Sequence, residues 1–474
     1  MKLDVTSSER QLFDVISQAA DQLQQEVYVV GGFVRDRLLN IPCKDLDFVT
    51  VGDGPALAEE VSRLLGPEAS DLSVFKTFGT AMIRYQDMEL EFVGARRESY
   101  HPDSRKPSVE LGTLRDDQLR RDFTINALAA SLQDGGSFNL IDPFDGISDL
   151  RKGRIVTPLD PHQTFSDDPL RMMRAIRFAS QLSFKIDPVT LEAIRDMRDR
   201  IEIVSMERVS YELNKIILSP VPSVGFLLLE QAGLLNLIFP ELVAMKGVDQ
   251  VEKFGHKDNF YHTLQVLDNV AESSYYLWLR WAAIRHDIAK PATKRFEPGH
   301  GWTFHGHEVV GANMVAKIFR RMKLPMDEKM KYVQHLVRLH LRPIALVQDE
   351  ITDAAIRRLL FDAGDDLDDL MTLCKADITS KNPDKVARYL RNYDLVIERL
   401  RDVEERDHLR NWQPPITGQM IMETFGIPPG RLVGEIKTAI REAILDGQLD
   451  SDFDKAYAFM LAEGRRHGLS VHQS

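Results

Sequence analysis

Two aspartates, Asp45 and Asp47, flank Leu46 in the run KDLDFVTV, and two adjacent glycines, Gly31 and Gly32, precede them in VYVVGGFVRDRLL. Side chains at i and i+2 of a strand point to the same face, so both carboxylates can grip the same divalent cations. Gly31 and Gly32 stand between a strand and a helix start, where backbone N–H groups can approach a triphosphate and the helix dipole favours the anion. Arg35 follows one turn into that helix, suited to a phosphate oxygen. A Gly-Gly turn alone is usually just a turn, and a D-x-D pair alone is usually a solvated strand end. The order strand, glycines, helix with arginine, acidic strand is far less expected by chance and describes a metal and triphosphate site.

A second set of chemical side chains lies far downstream. His262 occurs in NFYHTLQVLDNV, His286 and Asp287 are adjacent in LRWAAIRHDIAKP, His307 follows in FHGHEVVGA, His340 in VRLHLRP and Asp377 in LCKADITSKN. One isolated histidine in a helix is more often packed or solvated than a ligand. Six such residues on successive helical segments form a set that suits a borderline first-row metal.

These residues need elements to hold them. Residues 8 to 25 read as an amphipathic helix with Leu12, Ile16, Ala19 and Leu23 on one face. VYVV (27–30), LDFVTV (46–51), TAMIRY (80–85) and MELEFVGA (88–95) read as strands. Beyond Pro169 strands nearly vanish, and residues 160 to 474 read as almost entirely helical. The fold class expected is α+β, with a mixed sheet at the front and all-α segments behind it. At 474 residues the chain should hold three or four domains, with boundaries near 150, 250 and 400.

Composition bounds the partners. Hydrophobic and charged fractions of 43% and 28% belong to a folded globular chain. The longest apolar runs fall far short of the roughly 18 residues of a membrane span. Acids stand in MKLDVTSSERQLFD where a secretory signal has its apolar core, so a cytoplasmic protein without a membrane is expected. Cys43 and Cys374 are too few and too far apart for a disulfide framework or a four-thiolate zinc site. A net charge of −12 argues against nucleic acid, but distribution matters more than the sum, and the run from Lys317 to Arg342 carries eight basic residues against two acids.

The front motifs together resemble the nucleotidyltransferase superfamily related to DNA polymerase β, and within it the bacterial class of CCA-adding enzymes and poly(A) polymerases. That resemblance implies a polymerase-β-like head with Asp45 and Asp47 as magnesium ligands and catalytic residues. It implies a third carboxylate five residues before an arginine, which selects Glu91 before Arg96, with Glu89 as runner-up. Gly31, Gly32, Arg35 and Asp36 become nucleotide-binding, as do Arg121, Asp122 and Asn126 in RRDFTINALA. IDPFDGISDLRKG (141–153) resembles the family's third motif, in which Asp142 and Asp149 are expected to be structural.

DDPLRMMRAIRF (167–178) then resembles the family's amino-acid template. Asp168 and Arg171, at i and i+3, should share a helical face, with Arg174 one turn further. A carboxylate beside a guanidinium offers acceptor and donors in a fixed plane, which reads the Watson–Crick edge of a base without a nucleic-acid template. The family's usual first glutamate is Asp167 here. MERVSYELNKIIL (206–218) resembles the neck motif, with Glu207 and Arg208 bracing the reading helix.

The resemblance implies transfer of nucleotides from CTP and ATP to a tRNA 3′ end. SVFKTFGTAMIRY lacks the extra basic stretch of poly(A) polymerases of this class, and ARRESYHPDSRKPSVELGTL is longer than the loop of CC-only enzymes. CCA addition is therefore expected, with A-only addition the alternative. Residues 255 to 380 resemble the HD superfamily of metal-dependent phosphohydrolases, with HDIAKP in place of the commoner HDIGKP. That resemblance makes His262, His286, Asp287, His307, His340 and Asp377 ligands of a divalent metal and spares His305 and His335. A helical tail from 401 to 474 is expected to touch tRNA. The rival from another class is an HD hydrolase whose front half merely binds nucleotide.

Overall fold

The computed structural model describes residues 2–75, 79–101, 104–133, 135–247, 249–252, 255–299, 301–348, 352–379, 382–410 and 412–472; side chains are described for these except at 71, 97–101, 104–109, 249–252, 255–257 and 347–348. The chain forms two compact units, Met1–Pro240 and Glu241–Ser474.

The first unit opens with α1 (Ser7–Gln22), whose start is set by a reciprocal capping box between Thr6 and Glu9. Its apolar stripe buries Leu12, Phe13, Ile16, Ala19 and Ala20. The helix stops at Leu23, short of the expected residue 25, because Gln24 turns left-handed at φ 55°. There follow β1 (Glu26–Val30), α2 (Gly32–Leu38), β2 (Asp45–Val51), α3 (Gly54–Leu65), β3 (Ala69–Phe75), β4 (Thr80–Tyr85) and β5 (Met88–Gly94). A hairpin of β6 (Arg96–His101) and β7 (Ser104–Leu111) leads to α4 (Leu114–Leu119), β8 (Ala129–Ser131), β9 (Leu140–Ile141) and α5 (Gly146–Lys152). The main sheet runs β3-β4-β5-β2-β1-β8-β9. It is mixed: β2 and β5 are parallel while β1 pairs antiparallel with both β2 and β8.

Alternation along β2 decides what the sheet does. Leu46 and Phe48 are buried, with Phe48 stacked on Phe92 at 5.1 Å and edge-on to Phe13 at 5.9 Å. That burial, about 2–3 kcal/mol of transfer free energy for each ring, pins the register. Asp45 and Asp47 are thereby turned to the opposite face.

The helical remainder of this unit comprises α6 (Pro161–Asp167), α7 (Leu170–Leu182), α8 (Pro188–Met197), α9 (Met206–Ile217) and α10 (Pro222–Gln231). Helix α7 packs on α9 through buried Arg177 and Glu212, ion-paired at 3.1 Å. Asp142 accepts the amides of Gly146 and Ile147, and Asp149 accepts the Thr124 hydroxyl and Arg154, which are the structural tasks expected of both.

The second unit is helical apart from short hairpins at 249–258 and 295–303. Helices Asn259–Ser273, Leu277–Arg285, His307–Arg321, Glu328–Leu339 and Leu367–Asp377 enclose Trp281, Phe319 and Leu336. Helices Gly418–Phe425, Arg431–Leu445 and Phe453–Arg466 close a separate small core around Ile421, Ile436, Ile440 and Met460.

Candidate active sites

A cavity of about 900 Å³ opens over the acidic face of β2. Asp45, Asp47 and Glu91 stand on its wall, and the parallel pairing sets Asp47 beside Glu91 and Asp45 beside Glu89. Glu89 is held by Arg84 at 2.9 Å, whereas the charges acting on Glu91 are Asp47, Arg96 and Arg121. Both glutamates line the cavity, but Arg84 occupies Glu89, so Glu91, level with Asp47, is the acid left to face the aspartates. Burial lifts the Asp47 carboxyl above the usual carboxylate value; Arg121 pulls it back and Asp45 pushes it up again. Burial, then the charge of Asp47, also raises Glu91. The three groups are not as tightly drawn as one ion would hold them: among the described residues, trios with ligand atoms within 4.8 Å of one another occur only in the second unit. Like charges repel, and all three donors are oxygens, so the set fits a hard divalent cation.

Facing the acids is a chain of polar contacts. Arg35 donates to Asp36 at 2.7 Å and to the side-chain Oδ1 of Asn126 at 2.6 Å; Asn126 donates to Asp122 at 2.9 Å; Arg174 donates to Asp122 at 2.6 Å. The guanidinium carbons of Arg35, Arg174 and Arg177 lie 4.9, 5.6 and 4.2 Å from the Phe178 ring centre, so one aromatic ring orders three cations. Arg120 and Arg121 are steadied by Asp117. These cations line the cavity opposite the acids, an arrangement able to take a polyanion.

Burial alone would raise Asp122, but Arg174, the Asn126 amide and Arg171 overcome it and hold the group at about 2. Because the folded value lies below the ordinary 3.8, the carboxylate contributes stability that is fully present above about pH 4 and disappears as pH falls toward about 2, on the order of 2 kcal/mol in all. The urea midpoint of wild type should therefore exceed that of Asp122→Asn at about pH 6, and the gap should narrow by about pH 3. A gap independent of pH would contradict this coupling.

Every catalytic or nucleotide-binding residue expected from the sequence lines this one cavity: Gly31, Gly32, Arg35, Asp36, Asp45, Asp47, Glu91, Arg121, Asp122, Asn126, Asp168, Arg171 and Arg174. Two local expectations fail. Asp168 does not share a helical face with Arg171. It precedes Pro169, adopts extended φ −140°, ψ 100°, and α7 begins only at Leu170. Proline removes a donor and clashes with a helical residue before it, so the helix cannot include Asp168. Its carboxylate instead accepts the Leu170 amide and Arg208 at 3.2 Å each, while Arg171 donates to the carbonyls of Arg120 and Thr164. The Gly31 amide is also not free for phosphate, since it donates to Leu128 at 3.0 Å. Gly31 serves by its shape. It sits at φ 72°, and a Cβ there would stand 2.8 Å from Nη1 of Arg121. Gly31→Ala should cost about 1 kcal/mol of stability and, by displacing Arg121, raise the KM for nucleotide; an unchanged KM would refute the packing argument.

Sequence reasoning missed Arg177, Phe178 and Lys215 as lining residues. The first two sit inside the quoted DDPLRMMRAIRF, where their i+3 and i+4 spacing from Arg174 was the available signal. In the loop ARRESYHPDSRKPSVELGTL, whose length favoured CCA addition over CC-only addition, the side chains at 97–101 and 104–109 lie outside the described residues.

The six residues of the second set converge at helix ends in the Glu241–Ser474 unit. Asp287 is central: His286 and His307 approach it at 3.2 Å, His262 at 3.7 Å and His340 at 3.9 Å through Nε2, and Lys290 pairs with it at 2.6 Å. Asp377 accepts from His262 at 2.8 Å. In three histidines Nδ1 faces the carbonyl three residues back, Ala283 at 2.7 Å, Phe304 at 2.8 Å and Val337 at 2.6 Å. That bond fixes a proton on Nδ1 and leaves Nε2 as the ring atom that faces Asp287 and would ligate a metal once deprotonated. Nε2 of His286, His307 and His340 is buried and hydrogen-bonds no protein group. Burial and the nearby His286 push His340 down to about 3, keeping it neutral. Trios His262–His286–Asp287 and Asp287–His307–His340 each bring ligand atoms within 4.8 Å. Buried imidazoles aimed at a carboxylate fit a divalent metal. His305 pairs with Glu297 and His335 with Asp366, outside both trios.

A mixed-sheet head with an acidic strand facing a guanidinium wall defines a nucleotidyltransferase, here carrying an HD unit. Residues 27–156 match the "Poly A polymerase head domain", 183–245 the "Probable RNA and SrmB-binding site of polymerase A", and 259–380 the "HD domain". The chain is 33% identical over 444 residues to an A-adding tRNA nucleotidyltransferase of Deinococcus radiodurans, covering 91% of this chain and 94% of that one. It is 34% identical over 343 residues to a multifunctional CCA protein of Chromobacterium violaceum, covering 70% and 78%. Among solved structures it resembles the Bacillus stearothermophilus CCA-adding enzyme in complex with CTP, with a TM-score of 0.66, 23% identity and coverage of 98% and 99%. The chain belongs to the tRNA nucleotidyltransferase/poly(A) polymerase family, whose head domains work with divalent metal.

Proposed function

We propose that this protein adds C, C and A to tRNA 3′ ends from CTP and ATP without a nucleic-acid template, with Mg2+ at the head. The supporting observation is one cavity that gathers three carboxylates on one wall and the Arg35–Asn126–Asp122–Arg174 chain on the other. Asp45, Asp47 and Glu91 would hold the metal, which supplies activation of the RNA 3′-hydroxyl and neutralisation of the triphosphate. Arg121, Arg171 and Arg174 present donors to the nucleotide, and Asp168, kept in place by Arg208, presents an acceptor for its base. The 3′ oxygen bonds to the α-phosphorus, the bond to the β-phosphate bridge breaks, the hydroxyl proton passes to solvent, and pyrophosphate leaves. Positioning and charge stabilisation carry the rate.

The second reading is A-only addition, favoured by the A-adding relative that spans 91% of this chain. Incubating the protein with tRNA lacking its 3′ end, labelled CTP and labelled ATP decides. C followed by A supports CCA addition; A alone, and only on tRNA already ending in CC, supports the narrower activity; neither refutes both.

The inward Nε2 atoms of the second unit support a further activity, hydrolysis of phosphate esters at a site holding a first-row divalent metal. Stripping metal with a chelator should abolish hydrolysis of p-nitrophenyl phosphate, and a divalent first-row ion should restore it. We assign residues 1–150 to transfer, 151–250 to base reading, 251–400 to the HD site and 401–474 to tRNA contact. The work is assigned to the cytoplasm; no helix among the described residues is long and apolar enough to cross a membrane.

A further inference from the structure

Between Asp287 and His307 the chain makes a small hairpin, strands Arg295–Glu297 and Gly301–Thr303, that no part of the transfer reaction uses. Phe296 and Trp302 are directly opposed across it, so both rings project from one face. They meet edge to face at 5.4 Å, yet Phe296 remains 61% and Trp302 47% exposed. The Lys294 ammonium stands 4.7 Å from the Trp302 ring centre. The opposite face carries Glu297 and Thr303, bonded to each other at 3.1 Å.

The hairpin is rooted in the metal cluster. Phe304, two residues past Trp302, is buried; its carbonyl accepts Nδ1 of His307, and its ring lies 5.8 Å from Nζ of Lys290, the partner of Asp287. Exposed aromatics beside a cation are how proteins hold single-stranded nucleic acid, with bases on the rings and phosphate on the ammonium.

We propose that Phe296 and Trp302 form a base-stacking platform, with Lys294 as phosphate contact, for a single-stranded RNA 3′ end whose terminal phosphate ester is offered to the HD cluster. This rests on reading that cluster as a phosphohydrolase. A cross-strand aromatic pair that only stabilised the hairpin would leave ester hydrolysis blind to the base.

The test compares the full-length, metal-loaded protein with Phe296→Ala, Trp302→Phe and Lys294→Ala variants. The probes are an oligoadenylate bearing a 3′-phosphate and p-nitrophenyl phosphate, an ester without a base. The platform predicts that Phe296→Ala raises the KM for the oligoadenylate about tenfold, that Lys294→Ala raises it less, and that Trp302→Phe changes it little. The KM for p-nitrophenyl phosphate and nucleotide incorporation should stay constant. The oligoadenylate should also quench tryptophan emission more in wild type than in Trp302→Phe. Equal KM shifts for both esters, or equal quenching, would overturn the platform. If wild type hydrolyses neither ester, the phosphohydrolase reading fails, and the quenching difference alone decides whether RNA sits on the hairpin.

Discussion

Asn in place of Asp47 will lower nucleotide incorporation on the order of a thousandfold or more while leaving the fold intact. Two physical facts drive the expectation in opposite directions. Asp47 is the more enclosed of the β2 acids and shares its register with Glu91, so in the proposed metal site it is the central carboxylate. Its removal takes away charge that the triphosphate needs neutralised through metal. Yet burial raises the Asp47 carboxyl, which means the ionised group destabilises the folded head near neutral pH. Asparagine removes that penalty. Thermal unfolding in metal-free buffer should therefore show a midpoint equal to or above that of wild type, while primer-extension assays show almost no product. Glu89→Gln is the control: its partner Arg84 is on the surface, and incorporation should fall less than about threefold. Full activity in Asp47→Asn would refute the assignment of β2 as the acidic strand of the site.

Asp287→Ala carries the other large effect, and there the fold is the casualty. The carboxylate is buried among four imidazoles and the Lys290 ammonium. Burial raises it, but the charges of His286 and Lys290 hold it well below the ordinary carboxylate value. Deleting one member of a buried charged set strands the others, a loss of about 3–5 kcal/mol. Urea unfolding should show that loss, and metal analysis should show an empty second unit. Pairing Asp287→Asn with Lys290→Met removes both charges together and should recover most of the stability without restoring metal. If the single alanine variant unfolded like wild type, Asp287 would not be the centre of the cluster.

Much of this could be read from residue order. Alternation in LDFVTV was enough to send Leu46 and Phe48 one way and Asp45 and Asp47 the other, because a strand has only two faces and one was apolar. Histidines and aspartates in order on successive helices named the second set through their resemblance to the HD superfamily. Asp168 shows a signal present but overridden: helical spacing to Arg171 suggested a shared face, while Pro169 beside it forbade one.

Local period and residue chemistry in the sequence determined the mixed-sheet head and its acidic strand, while resemblance to known families picked out the cationic residues that line the cavity and the four histidines and two aspartates that converge in the second unit. Only the tertiary structure decided the pairings: Arg171 with the Arg120 and Thr164 carbonyls rather than Asp168, Arg208 with Asp168, Arg174 with Asp122, the Gly31 amide with Leu128, Asp287 at the centre of its cluster, and the Phe178 ring against three guanidinium groups. The physical reason is that each of these partnerships, even where its members are near in sequence, is settled by competition among several acceptors for each cation or amide, and the winner is whichever the packed elements bring within about 3 Å.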